Sequence, residues 1–253
     1  MSITTTAKFT NTNLPSVKSY GQQLLADANL VNWFQADGSS TVLGASPNIL
    51  SFLDKKGTST IFTQTTAADQ ASLVSAQVGN YPAAVFNGTS DAYGVSGGTI
   101  SAANTFSVVW FGIPNGATST NQILFADFGT NGSFLAINSS GLADFSQAGA
   151  TIVESSFVTN GTTPFLIIAS YNATKQTINL RVNGVTTTPL AATAVQSGGI
   201  ASIGGLYPSG QQCFGGKFSD FMFRNDDIFT NPTALDITEK YFTNVYGLTF
   251  TPV

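Results

Sequence analysis

The chain has 253 residues, 42% of them apolar and only 9% charged, with nine Lys and Arg against thirteen Asp and Glu for a formal net charge of −4. Nine scattered cations form no basic stripe for a nucleic-acid backbone or an anionic membrane surface, and neither is an expected partner. The chain has no His and a single Cys, Cys213, which removes Ser-His-Asp and Cys-His catalysis, histidine-ligated zinc and any internal disulfide.

The charge content falls well below the ~25% of an ordinary soluble protein, and Thr, Ser, Asn, Gln and Gly fill the gap. β-Branched residues, aromatics and turn formers outnumber the Glu, Lys and Arg of exposed helices, which predicts an all-β protein. The opening MSITTTAKFTNTNLP has no basic segment followed by an apolar run, and no stretch of about 18 apolar residues follows it. Synthesis in a host cytoplasm without a signal peptide, and no membrane insertion, are the resulting expectations.

Residues 1–15 form a Thr- and Asn-rich arm whose main apolar anchors are Ile3, Phe9 and Leu14. Intramolecular burial of three such groups is too small to offset about 1–2 kcal/mol of backbone entropy per ordered residue, so the arm is expected to lie on a partner. Val17, Tyr20 and Leu24 fall at helical spacing behind a Ser16 cap. Residues 1–23 therefore read as arm and short helix, and residues 24–253 as the main domain.

From about residue 30 the chain is strands and turns: LVNWFQA, ILSFLD, TSTIFTQ, AAVFNG, TFSVVWFGI, QILFADFG, SFLAINSS, GLADFSQ, TIVESSF, PFLIIASYN, QTINLRVNG, IASIGG and KFSDFMFRN. Most are spaced by about 8–12 residues, the rhythm of a sandwich or barrel. In TINLRVNGV, Ile178, Leu180 and Val182 point one way and Asn179 and Arg181 the other, ahead of an Asn183-Gly184 hairpin turn. Residues 106–113 and 165–169 are apolar on both faces, as in a middle strand covered twice or a sheet that meets another subunit. Trp33, Phe86 and Trp110 are expected in the core. At the C-terminal end Asn231 can cap a helix with Pro232 in its first turn, an apolar stripe of Leu235, Tyr241, Phe242, Val245 and Tyr246, and a stop at Gly247.

In chain order stand LVNWFQADGSS, LSFLDKKGTSTIFTQ, YPAAVFNGTSDAYGV, TFSVVWFGIPN, FLIIASYNATKQTINLRVNGV and the closing SIGGLYPSGQQCFGGKFSDFMFRNDDIF with its Tyr-Gly-ended helix. In this order the segments resemble the laminin G-like branch of the concanavalin A-like lectin/glucanase superfamily, in the form found in bacteriophage structural proteins. The resemblance spans about residues 24 to 250. It implies a jelly roll of two curved antiparallel sheets, with sugar bound at one edge or on the concave sheet in members that bind it. Glucanases of the superfamily carry an E-x-D-x-E strand motif. This chain has only Glu154 and Glu239, the first without a second carboxylate among its sequence neighbours and the second expected to face solvent.

Three further features bear on function. Asp91, Asn131, Asp226 and Asp227 are possible oxygen ligands for calcium, although no D-x-D-x-D-G cluster is present; adjacent Asp226 and Asp227 could also form a catalytic carboxyl pair, but in the RNDDIF turn they read first as turn chemistry and side-chain caps. The stretch YPAAVFNGTSDAYGVSGG reads as a corner of the fold, with Asp91 accepting from loop N–H groups. In GLYPSGQQCF, Tyr207 can stack on a sugar face while Gln211 and Gln212 bond its hydroxyls, or the segment is a plain hairpin loop. No cofactor and no catalytic group are expected. The sequence reading is a non-enzymatic bacteriophage virion protein, a capsid decoration or tail-associated subunit. It would be homo-oligomeric and would contact other virion proteins and host-surface glycans through a lectin-like sandwich. The alternative is a carbohydrate-binding module or lectin outside a virion.

Overall fold

A computed structural model describes residues 19–45, 47–96, 104–128, 132–147, 151–192 and 200–249. The arm positions Ile3, Phe9 and Leu14, the expected cap Ser16 with Val17, and the possible calcium ligand Asn131 lie outside these residues.

The chain begins with helix α1 (Tyr20–Ala26) and continues through β1 (Leu30–Gln35), β2 (Thr41–Leu43), β3 (Ile49–Leu53), β4 (Ile61–Thr63), β5 (Ser72–Val78), β6 (Tyr81–Asn87) and β7 (Tyr93–Ser96). Then follow β8 (Phe106–Pro114), β9 (Gln122–Phe128), β10 (Ser133–Ile137), β11 (Leu142–Gln147), β12 (Thr151–Val158) and β13 (Phe165–Asn172). The last elements are β14 (Thr177–Val182), β15 (Val185–Thr186), β16 (Leu190–Ala191), β17 (Ile200–Ile203), β18 (Gly215–Arg224) and helix α2 (Pro232–Tyr246).

Two antiparallel sheets form a jelly-roll sandwich. One runs β15-β14-β13-β8-β18-β6-β5, with β1 added beside β18 and β16 beside β14; the other runs β12-β11-β10-β9-β17-β7-β4-β3-β2. Strand alternation fills the space between them. Phe106, Val108 and Trp110 of β8 meet Phe125 of β9, Leu135 of β10 and Phe145 of β11 in the main core. Trp33, Phe86 and Trp110 are all at most 3% exposed.

The strands that are apolar on both faces are covered twice within the chain. Val109, Phe111 and Ile113 of β8 and Leu166 and Ile168 of β13 face away from the other sheet and join Leu235, Tyr241, Phe242 and Tyr246 of α2 in a second core. Helix α2 begins where Asn231 accepts from the Ala234 N–H and ends at Gly247, whose φ of 68° is left-handed. Asn183 and Gly184 also have positive φ, 47° and 84°, as the β14–β15 hairpin requires.

Two expectations need correction. Helix α1 is capped by Ser19, which forms a reciprocal box with Gln22, and its Leu24 belongs to the second core. Glu239 does not face solvent: it is fully buried, and Arg181 Nε and Nη2 donate to its two carboxylate oxygens at 2.7 and 3.1 Å. Arg181 does point away from the main core, but that outer face lies beneath α2, so charge pairs with charge out of water.

Candidate functional site

The strands β9 to β12 present an outer face that neither α1 nor α2 covers among the described residues. Alternation sends Leu135, Ile137, Ala143, Phe145 and Val153 into the main core. It turns Phe134 and Ala136 of β10, Asp144 and Ser146 of β11, and Ile152 and Glu154 of β12 outward. Residues 204–214 then fold back over β9: the Ile123 N–H donates to the Gln212 carbonyl at 2.9 Å, and the Leu206 N–H to the Gln211 carbonyl at 3.0 Å. Between this segment and β12 runs a groove of about 270 Å³ lined by Asn121, Ile123, Phe134, Ala136, Asp144, Ser146, Ile152, Leu206 and Gln212.

Asp144 and Ser146 are 6% and 8% exposed, and beyond their backbone ladder pairing their side chains make no hydrogen bond among the described residues. Their oxygens are not among the buried atoms left without a partner; they reach solvent through the groove, where a polar ligand can take the place of water. The β11–β12 register sets Asp144 opposite Glu154. Glu154 has no carboxylate among its sequence neighbours in TIVESSF; Asp144, ten positions away, is brought beside it by the ladder. Burial, then the Glu154 charge, pushes the Asp144 carboxyl up to about 7. Glu154 itself is exposed and accepts from Asn138 Nδ2 at 2.8 Å.

The expected ligand loop is divided by the fold. Gln212 lines the groove. Gln211 is exposed outside the lining. Tyr207 is half-buried over the backbone of β7, where a Cβ added to Gly94 would stand 2.3 Å from its Cδ1. Its ring acts as a strut for the loop. Phe134 is the aromatic ring in the groove, and the strand alternation of SFLAI is the signal that marks it as outward.

Asp91 holds the β6–β7 corner, accepting from the Asn87 N–H at 2.7 Å while Asn87 Oδ1 accepts from the Thr89 and Ser90 N–H groups. Burial raises the Asp91 carboxyl above its ordinary value. Asp226 takes a bidentate bond from Arg224 at 2.8 and 2.9 Å, and Asp227 accepts from Ser170 and Asn172, each at 2.8 Å. No group of three or more Cys, Asp and Glu side chains able to hold a metal ion occurs among the described residues. A second hollow of about 250 Å³ beside that corner is lined by Asn87, Asn115, Gln122 and neighbouring Ser and Thr. It has amides and hydroxyls but no aromatic ring.

No protein-family model matches the chain, and no curated protein matches it in sequence. Solved structures do resemble it. Trypanosoma rangeli sialidase aligns with a TM-score of 0.56 at 10% identity over 86% of this chain and 33% of that one. The same sialidase in complex with sialic acid gives 0.55 at 11% identity over 86% and 33%. The CBM40 of Ruminococcus gnavus IT-sialidase, bound to alpha2,3 sialyllactose, gives 0.46 at 13% identity over 57% of this chain and 90% of that one. The chain thus spans about a third of the sialidase chains it matches. At these identities the likeness to the sialidase is one of fold alone.

Proposed function

We propose that the chain is a glycan-binding β-sandwich that holds a short saccharide in the groove over β9–β12 and does not cleave it. The observation that carries this reading is the convergence of Asp144 and Ser146, whose side chains bond no other described residue, on the same hollow as Phe134, Asn121 and Gln212. A pyranose offers an apolar C–H face for an aromatic or aliphatic wall and a ring of hydroxyls for amides, a hydroxyl and a carboxyl. Phe134, Leu206 and Ile152 supply the first; Asn121, Gln212, Ser146 and Asp144 supply the second. Binding without cleavage is supported by the groove's lining, in which Asp144 is the one carboxyl and the facing 204–214 wall offers Leu206 and Gln212 rather than a second acid across the ligand. Screening on a broad glycan array, followed by calorimetry on Phe134→Ala and Gln212→Ala, tests the reading. Loss of the selected ligand in both variants is expected; unchanged affinity in both overturns it. Reducing-end release from a glucan panel overturns the non-enzymatic part.

The finer reading is a bacteriophage virion subunit that carries this face to a host-surface glycan or to neighbouring virion proteins. Exposed valines at open sheet edges, Val158 on β12 and Val185 on β15, support contact with other subunits. Light scattering of the wild type and of a Val158→Lys, Val185→Lys double variant reads the oligomeric part. Immunogold labelling of particles with an antibody to the chain reads the location. A monomer at every concentration, or unlabelled particles, removes this finer reading.

A further inference from the structure

We infer that the groove takes uncharged sugars and turns away acidic ones, because its ionisable side chains among the described residues are the carboxyls of Asp144 and the adjoining Glu154, with no cation to answer a ligand's negative charge. The inference rests on the glycan reading above and names its ligand class.

The asymmetry is built into the two sheets. Lys217, Arg181 and Arg224 lie in strands of the sheet that carries α2, and Arg181 and Arg224 are already paired with Glu239, Asp27 and Asp226. The strands of the other sheet contain no Lys or Arg, and neither does the 204–214 segment that roofs the groove. A carboxylated or sulfated sugar entering this groove therefore loses solvent and meets like charge, a combination that proteins binding such groups avoid with Arg or Lys.

The groups facing Asp144 can be taken element by element. From β12 it faces Glu154, its register partner. From β10 it faces Ala136, and β10 has no ionisable residue. On β9, Asp127 alternates with the outward Ala126 and follows the inward Phe125, so it points to the opposite face. In the 204–214 segment Tyr207 is turned onto Gly94, and the Cys213 thiol lines the other hollow and donates to the Gly210 carbonyl. Asp144 is thus held between burial and one neighbouring carboxylate, which together push it up to about 7. In its neutral form the carboxyl can donate to a sugar oxygen as well as accept. A sugar that strips its remaining water favours that form, so affinity for an uncharged ligand rises as the pH falls through about 7.

The test compares matched pairs on the full chain by calorimetry: lactose against sialyllactose, and neutral glucan or galactan oligomers against their uronate counterparts, each at about pH 5.5 and about pH 8.5. The expected result is binding of at least one neutral member, about tenfold or more weaker binding of its acidic partner at the higher pH, and several-fold loss of neutral-sugar affinity from the lower pH to the higher. Asp144→Asn should abolish that pH step, and Glu154→Gln should move it to lower pH by removing the repulsion. An acidic ligand that binds as tightly as its neutral partner, or a pH step that persists in Asp144→Asn, overturns the inference while leaving glycan binding intact. Binding of neither class, with the chain folded by circular dichroism, overturns the glycan reading and this inference with it.

Discussion

Replacing Asp144 by Asn keeps the size and shape of the side chain and removes its charge, so it isolates what the buried carboxyl costs the fold. An aspartate that titrates near 3.8 when solvated is pushed up to about 7 here, by burial first and the Glu154 charge second. The folded chain then binds more protons at this site than the unfolded chain between about pH 4 and about pH 7, so stability falls as the pH rises across that window and levels above it. At about 1.4 kcal/mol for each pH unit separating the two values, the ceiling is ~4 kcal/mol. The groove side of the carboxyl keeps some solvent, which places the expected effect at about 2–4 kcal/mol. Urea unfolding of wild type and Asp144→Asn at pH 4, 6 and 8 gives the measurement. The variant should match wild type at pH 4 and exceed it by about 2–4 kcal/mol at pH 8. Other buried acids, Asp220 and Asp91 among them, cancel in the difference. A difference that does not change with pH would refute the burial and the Glu154 contact together.

Trp110→Ala, in the centre of the main core at 1% exposure, should cost about 3–5 kcal/mol of unfolding free energy; a loss within error of zero would show that β8 is not a central strand. Arg181→Met should cost about 3–5 kcal/mol by stranding buried Glu239, and Arg181→Met with Glu239→Leu should recover most of it. A single variant that unfolds like wild type would contradict the buried pair. Gly94→Ala should drive Tyr207 off its seat and cost about 1–3 kcal/mol, recovered in part in a Tyr207→Ala background; no coupling between the two changes in a double-mutant cycle would contradict the strut.

The long strands are legible because β-branched and aromatic residues alternate between Gly- and Asn-rich turns, and α2 because cap, Pro, stripe and terminal Gly agree. β5 is not legible: its pattern SLVSAQV is mostly half-exposed, its register with β6 shifts between Val74 and Val78, and Ala76 sits at a φ of 54°. β7, four residues long behind a corner, and β2, β15 and β16, of two or three residues each, carry too few side chains to show a period. Glu239 was readable in principle, since Leu235, Glu239, Phe242 and Tyr246 fall on one helical face; a charge in that stripe calls for a buried partner, and only the sheet beneath supplies Arg181. The Asp144–Glu154 pair depends on the β11–β12 register, which the sequence does not state. The groove itself arises from the return of residues 204–214 over β9, a long-range contact fixed by the Ile123 to Gln212 hydrogen bond.

The central claim is that a saccharide sits over β9–β12. The most direct measurement is a backbone amide NMR titration with the best ligand from the glycan array. Chemical-shift changes confined to Asn121, Phe134, Asp144, Ser146, Ile152 and Gln212 are the predicted result. Changes centred instead on Asn87, Asn115 and Gly215, the lining of the polar hollow at the β6–β7 corner, or on neither, would contradict it.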